Sequence, residues 1–301
     1  MSEPQPWCII VNLQTCRDKA WKKWQQLIIA NNIPHSFYFT RSIAELSDVL
    51  HHLIESGYKN YLFAGGDGTL HQGGNLLLHH AGELSEQLVI GVLPCGTGND
   101  WTRTFGTRSQ KVLNKHLQKL SAEPLHVLKL EFADGKVHYA FNMVGCALDA
   151  AVVQSLNRSS IRIPGALKYP LALLNALTKP HRWNGTILID EKNITSDWLT
   201  IQAGFGKYCG GGMYVLPHAE KNKPALLLMK SKSIVKLIIS LPKLYNGKIA
   251  QQKEAIAMHF SKVEINHSEM PIPVEADGEF LGYTPVTITV QYKIINRLVM
   301  E

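Results

Sequence analysis

The chain has 301 residues, 45% hydrophobic and 18% charged, which excludes a disordered polypeptide and is enough to bury a core as one large domain or two moderate ones. Its formal charge of +7, from 31 Lys and Arg against 24 Asp and Glu, favours anionic partners such as nucleotides, phospholipid surfaces or nucleic acid. A solvated basic surface is the plain alternative.

The five cysteines, Cys8, Cys16, Cys95, Cys146 and Cys209, are odd in number and form no C-x-x-C pair. Neither a disulfide framework nor a zinc knuckle is expected, and a reducing cytosol fits. Met1 to Trp7 holds Glu3, Pro4 and Pro6 without a basic n-region and long apolar core, so no signal peptide is expected. No apolar run reaches the ~18 residues of a spanning helix. The expectation is a cytoplasmic protein whose membrane contact is peripheral.

In chain order, Trp7 to Leu13 is a continuous apolar run, as in a strand buried on both faces. Trp21, Trp24, Leu27 and Ile28 then recur at helical spacing. Phe37–Thr40 reads as a second strand, followed by a helix with Ile43, Leu46, Leu50, Leu53 and Ile54 on one face. Tyr61–Ala64 and Leu88–Leu93 read as third and fourth strands. Such alternation predicts a parallel α/β domain over residues 1–125.

Beyond Leu125 the rhythm becomes that of an antiparallel β-sandwich over residues 126–301, with the C-terminal tail a candidate to pack back on the first domain. Val127–Phe132 and Val137–Val144 flank Ala133-Asp134-Gly135, a hairpin signal. Thr186–Ile189, Leu199–Ala203, Leu226–Met229, Ile256–Phe260, Val263–Ile265 and Val286–Val290 are further strand candidates. Two stretches, Ile161–Leu177 and the amphipathic Ser233–Leu244, combine apolar and basic residues. Both suit an anionic bilayer interface, although for each stretch alone capping of the sandwich core is the favoured reading.

The chemistry sits at two glycine loops. Gly65-Gly66-Asp67-Gly68-Thr69 follows the third strand and opens a helix whose apolar face holds Leu70, Leu77 and Leu78. Glycines admit phosphate close to the backbone, and a helix N-terminus offers N–H donors with a favourable dipole. Asp67 makes sense there if it holds a metal that accompanies the phosphates. Pro94-Cys95-Gly96-Thr97-Gly98-Asn99-Asp100 follows the fourth strand in the same manner. In a parallel sheet the strand C-termini share one edge, where ligands bind. Neither a P-loop nor a dinucleotide fingerprint is present.

These two loops resemble the signatures of the diacylglycerol and sphingosine kinase superfamily, and most of the chain resembles the bacterial soluble lipid kinases. Asn142–Ala150, Gly210-Gly211-Gly212 before Pro217-His218-Ala219, and Asp277-Gly278-Glu279 extend the match. The resemblance implies a Rossmann-like or phosphofructokinase-like nucleotide domain, a C-terminal β-sandwich and an active site between them. It implies ATP contacts at Thr40, Gly65, Gly66, Asp67, Gly68, Thr69, Leu70, His71, Gly96, Thr97 and Asn99. Mg²⁺ would arrive with ATP near Asp67 and Asp100. Catalysis would fall to Glu279, as proton acceptor for a lipid hydroxyl, and to Asp67.

Three positions depart from that pattern. Asn12-Leu13-Gln14-Thr15-Cys16 replaces an asparagine-proline and Ser-Gly turn, His126 stands where an aspartate is usual, and Lys223-Pro224 replaces Asp-Gly. A lysine cannot ligate magnesium, which puts an auxiliary metal site near Lys223 in question.

The expectation is therefore an ATP-dependent kinase for a diacylglycerol-like lipid with a free hydroxyl, acting at an anionic membrane surface. The alternative is an ATP-binding homologue whose kinase activity is lost or altered. An NAD kinase shares GGDGT but not the other motifs. With no helix-turn-helix, RNP-like or zinc-finger signature, nucleic acid is not an expected partner. Neither the lipid nor the oligomeric state is legible.

Overall fold

The computed structural model describes residues 6–16, 18–106, 120–158, 171–176, 183–231 and 233–300. The chain forms two compact units, Met1–His126 with Tyr292–Glu301, and Val127–Gln291.

In the first unit, strands β1 (Trp7–Asn12), β2 (His35–Thr40), β3 (Asn60–Gly65) and β4 (Val89–Pro94) lie parallel in the order β4-β3-β1-β2. Cys8, Ile9, Ile10 and Val11 are fully buried, which is why β1 reads as an unbroken apolar run. Helix α1 (Asp18–Ala30) buries Trp21, Trp24 and Ile28. Helix α2 (Ile43–Glu55) buries Leu46, Leu50 and Leu53. Its start is set by Ser42, whose Oγ accepts from the Glu45 N–H at 3.2 Å, while the Glu45 carboxylate accepts from the Arg41 N–H at 2.7 Å. Helix α3 (Asp67–Ala81) and the short α4 (Asp100–Phe105) each follow a glycine loop. Motif reading located the second loop without the helix behind it.

The second unit is antiparallel. Its strands include β5 (Leu120–Phe132, which enters from the first unit), β6 (Val137–Ala140) and β7 (Met143–Ala147), then β8 (Trp183–Ile189) and β9 (Lys192–Gly204). The thirteen-residue β9 pairs with β8 along its first half and with β7 along its second. The Asp-Gly hairpin is present, with Leu128 opposite Ala140 and Gly135 at φ 83°. Strand β8 alternates buried and half-buried residues from end to end, the period of a half-buried strand. The expected strands over Leu226–Met229, Ile256–Phe260 and Val263–Ile265 form at Ala225–Lys230, Ala255–His259 and Lys262–His267.

Several expectations need correction. The run Val137–Val144 is two strands, because the N–H groups of Phe141, Asn142 and Met143 leave the ladder for the Asp277 carboxylate. A helix, α5 (Leu148–Arg158), follows β7 where no helix was expected. The closing strand extends past Val290 to Met300, where Asn296 and Arg297 pair in parallel with Val89 and Ile90 of the first unit. Ser233–Leu244 is helical over Ile234–Ser240 and tightens into a 3₁₀ turn at Leu241–Leu244. Pro242 supplies no N–H there, which favours ending the α-helix. Of Ile161–Leu177, only the helical residues 171–176 lie within the described residues. No helix among the described residues is long and apolar enough to cross a membrane.

Candidate active site

The parallel registers bring the strand C-termini of the first unit to one edge. Asn12 lies opposite Thr40, Val11 opposite Ala64, and Gly65 opposite Pro94. Thr40 is buried there, and its carbonyl accepts from the Leu13 N–H at 3.0 Å. Asn12 Nδ2 donates to Thr69 Oγ1 at 3.0 Å, so the loop after β1 is tied to the first turn of α3.

The two glycine loops touch backbone to backbone. The N–H groups of Cys95 and Gly96 donate to the Gly65 carbonyl at 2.8 and 3.2 Å. A Cβ on Gly96 would fall 2.6 Å from Gly66 Cα, and one on Gly65 would meet Thr69 Oγ1 at 2.2 Å. Glycine is required at both positions for approach, not for a left-handed φ. Asn99 does take the left-handed conformation, φ 51°, and its Nδ2 donates to the Gly96 carbonyl at 2.7 Å. Gly66 caps α3, Gly68 and Thr69 lie in its first turn, Leu70 and His71 are buried, and Thr97 is exposed.

Asp67 joins the loops. Its two carboxylate oxygens accept from the N–H groups of Asp100 and Trp101, at 3.0 and 2.9 Å, and so cap α4. Asp100 is buried and pairs with Arg103 Nε at 3.2 Å. Carboxylate oxygens such as those of Asp67 and Asp100 are of the hard-ligand type that Mg²⁺ takes. Among the described residues, no three His, Cys, Asp or Glu side chains gather into a metal site. Two acids beside the glycine loops nevertheless fit Mg²⁺, which is usually held by one or two carboxylates together with substrate phosphates.

Cys16 and Cys95, 79 positions apart, meet at this edge with Cα atoms 4.9 Å apart, within the reach of a disulfide. Spacing along the sequence could not reveal this, because the parallel sheet is what brings the ends of β1 and β4 together. Cys8, Cys146 and Cys209 are free thiols.

In the second unit, Asp277 and Gly278 form the two-residue turn between strands Pro273–Ala276 and Glu279–Tyr283, with φ of 53° and 89°. The Asp277 carboxylate accepts from the N–H groups of Phe141, Asn142 and Met143 at 2.9, 2.9 and 3.0 Å. Its own N–H donates to the Met143 carbonyl at 2.9 Å. The turn therefore anchors the loop before β7 while presenting Glu279, which is half-buried. Gly210, Gly211 and Gly212 all have positive φ and link strands Tyr208–Cys209 and Met213–Tyr214.

The sequence reading missed Glu275 and Asp149. Glu275 is buried, and its Oε2 accepts from the Gly278 N–H at 2.8 Å. Burial pushes its carboxyl well above the usual range, with Asp149, Asp277 and Glu279 adding to the effect against the Gly278 hydrogen bond. A Cβ on Gly145 would fall 2.3 Å from Glu275 Oε1, so Gly145 in the Asn142–Ala150 motif makes room for this acid. The carboxylate of Asp149, also buried, accepts from Thr200 Oγ1. Both acids also border a strongly apolar core, which conceals them from periodicity.

The same unit holds a partly open cavity of about 60 Å³. Its apolar lining includes Leu148, Leu173, Met213, Val215, Leu227 and Met229, and its polar lining is Asp149, Thr200, Gln202 and Ser240. Gln202 is 4% exposed, and its Oε1 has no hydrogen-bond partner among the described residues.

The departures have structural roles of their own. His126 Nδ1 accepts from the Lys293 N–H at 3.0 Å, and burial, then the charge of Lys293, lowers the imidazole pKa. Lys223 is exposed and closes a tight turn by two backbone hydrogen bonds with Glu220.

A parallel α/β unit with glycine loops at its strand ends, in one chain with an antiparallel β-sandwich, defines the NAD kinase-like class of fold. The profile described as the diacylglycerol kinase catalytic domain matches residues 6–130, and that of the YegS C-terminal NAD kinase beta sandwich-like domain matches residues 142–299. The chain belongs to the YegS-type diacylglycerol kinase family of lipid kinases. It is 26% identical over 243 residues to a diacylglycerol kinase of Mycobacterium tuberculosis (strain CDC 1551 / Oshkosh), covering 78% of this chain and 75% of that one. It is 27% identical over 268 residues to a provisionally named lipid kinase of Staphylococcus aureus (strain JH9), covering 84% of each. A crystal structure of a diacylglycerol kinase from Bacillus anthracis str. Sterne superposes with a TM-score of 0.71 over 99% of this chain and 97% of that one. At 17% identity that likeness concerns the fold.

Proposed function

We propose that this protein transfers the γ-phosphoryl group of ATP to the free hydroxyl of a diacylglycerol-like lipid at an anionic membrane surface. The observation that carries the reading is the backbone contact of the two glycine loops, bridged by Asp67 at the start of two helices. ATP phosphates would be held by Gly65–His71, Gly96, Thr97 and Asn99, with Thr40 at the nucleotide edge. Asp67 and Asp100 would hold Mg²⁺ together with the phosphates, and the ion would supply charge neutralisation there. Glu279 takes the proton of the lipid hydroxyl as its oxygen bonds to the γ-phosphorus. The bond to the bridging oxygen breaks and ADP leaves. Phosphoryl transfer asks the protein mainly for positioning, electrostatics and a base near the attacking oxygen. The apolar cavity suits an acyl chain, and its polar residues suit the oxygen-bearing end of a lipid.

The second reading, an ATP-binding homologue without kinase activity, is favoured by His126 and Lys223. Each stands where an acid is usual and is engaged in local structure instead. A lipid panel with labelled ATP, run beside a calorimetric ATP titration, separates the two. Phosphorylated lipid supports the first reading, and ATP binding with no product from any lipid supports the second.

A further inference from the structure

From Lys221 to Lys253 the chain holds eight lysines and no Asp, Glu or Arg. The other residues hold 23 Lys and Arg against 24 acids, a balance of −1, so this one segment accounts for the whole +7. At its centre, helix Ile234–Ser240 and the 3₁₀ turn Leu241–Leu244 are apolar on two faces. Leu237, Leu241 and Leu244 line the cavity. On the other side Val235, Ile238 and Ile239 are 63%, 50% and 67% exposed, and Tyr245 just beyond the turn is exposed too. Helical spacing puts Val235, Ile238 and Ile239 on one continuous arc. The residues 171–176 repeat the pattern, with Leu173 lining the cavity and Leu171 and Leu174 exposed. Surface helices ordinarily turn one apolar stripe inward and charges outward. An outward aliphatic cluster set among Lys236, Lys243 and Lys248 has the composition of an interfacial element instead.

We infer that residues 234–245 dock this protein on an anionic lipid bilayer, with Val235, Ile238 and Ile239 entering the acyl boundary and the surrounding lysines meeting the headgroups. This rests on the lipid-kinase reading only for its consequence, that an acyl chain passes from the bilayer to the cavity along the segment that walls it. A second copy of the chain is the weaker occupant. A two-fold contact would set each lysine-rich face against its own duplicate, whereas an anionic surface attracts every one of these charges.

The test is co-sedimentation with phosphatidylcholine vesicles, with and without an equal part of phosphatidylglycerol. The wild type sediments with the mixed vesicles and is released as salt rises from ~0.1 to ~1 M, where the screening length falls from ~10 to ~3 Å. Ile238→Glu with Ile239→Glu lowers the partition at least about tenfold, since each side chain no longer leaves water. Lys236→Gln with Lys243→Gln weakens binding to mixed vesicles and flattens its salt dependence. All these side chains are exposed or half-exposed and none lines the cavity, so ATP affinity and melting temperature stay at the wild-type values. Equal sedimentation of wild type and the double glutamate variant overturns the inference, as does a wild type that binds neither vesicle. So does a wild-type dimer in analytical ultracentrifugation that the glutamates dissociate. The kinase reading fails separately. Segment-dependent docking with no phosphorylated lipid sinks that reading alone, whereas turnover of a dispersed short-chain lipid by a protein that ignores vesicles sinks the docking alone.

Discussion

Asp277 offers a quantitative test of how the second unit holds the turn that presents Glu279. Its carboxylate accepts three backbone N–H groups at 2.9–3.0 Å, two on Oδ1 and one on Oδ2, from residues more than 130 positions earlier. Hydrogen bonds to a charged group contribute roughly 1.5–3 kcal/mol each, and bonds sharing one carboxylate add less than fully. Asp277→Ala removes all three and places alanine at φ 53°, a left-handed conformation costing roughly 1 kcal/mol more. The sum predicts a loss of about 4–6 kcal/mol. Asp277→Asn keeps one oxygen for Asn142 and Met143 and tolerates positive φ, but turns an NH₂ toward the Phe141 N–H. Its loss should be about 2 kcal/mol. Urea unfolding gives the two values, and hydrogen exchange at Phe141, Asn142 and Met143 locates the effect. If both variants unfold within about 0.5 kcal/mol of wild type, the range of ordinary surface substitutions, the anchoring role is wrong. The same holds if those three amides stay protected in the alanine variant.

Gly66→Val adds a branched side chain where even a Cβ would lie 3.2 Å from Gly96 Cα. It should abolish ATP binding in a calorimetric titration while the fold persists, and unchanged affinity would move the nucleotide site elsewhere. Glu279→Gln should cut turnover by roughly 10²-fold or more with ATP affinity intact; near-normal turnover would make Glu279 an ordinary hairpin residue. Glu275, its pKa raised by burial, contributes stability that is fully present below the unfolded pKa of ~4.3 and is lost as pH rises toward its folded value. Glu275→Gln, which mimics the neutral acid, should therefore match wild type near pH 4 and become increasingly more stable toward pH 8. A stability difference that does not grow with pH would show that the carboxyl is ionised in the native state. Mg²⁺ alone should hardly move the melting temperature, whereas Mg²⁺ with ATP should raise it, because Lys223 contributes no ligand. A large shift with Mg²⁺ alone would require another metal site.

The sequence by itself determined the parallel α/β unit, the antiparallel unit and the glycine loops. Each of those signals is local. Strands buried on both faces read as apolar runs, helices as 3.6-residue periodicity, and the two loops as glycines at a strand end. The Asp277-Gly278 turn was legible for the same reason, since positive φ selects those residues. What Asp277 holds was not legible, because its partners at 141–143 are near only after folding. The approach of Cys16 to Cys95 depends on the alignment of β1 and β4 at one sheet edge, a relation that spacing does not encode. Glu275 carries no mark in the sequence. Only packing around Gly145 buries it and shifts its proton affinity. In Ser233–Leu244 the apolar pattern was plain but its direction was not. A helix with two apolar faces does not say which one meets the interior, and tertiary structure decided it by turning Leu237, Leu241 and Leu244 to the cavity and leaving Ile238 and Ile239 in water.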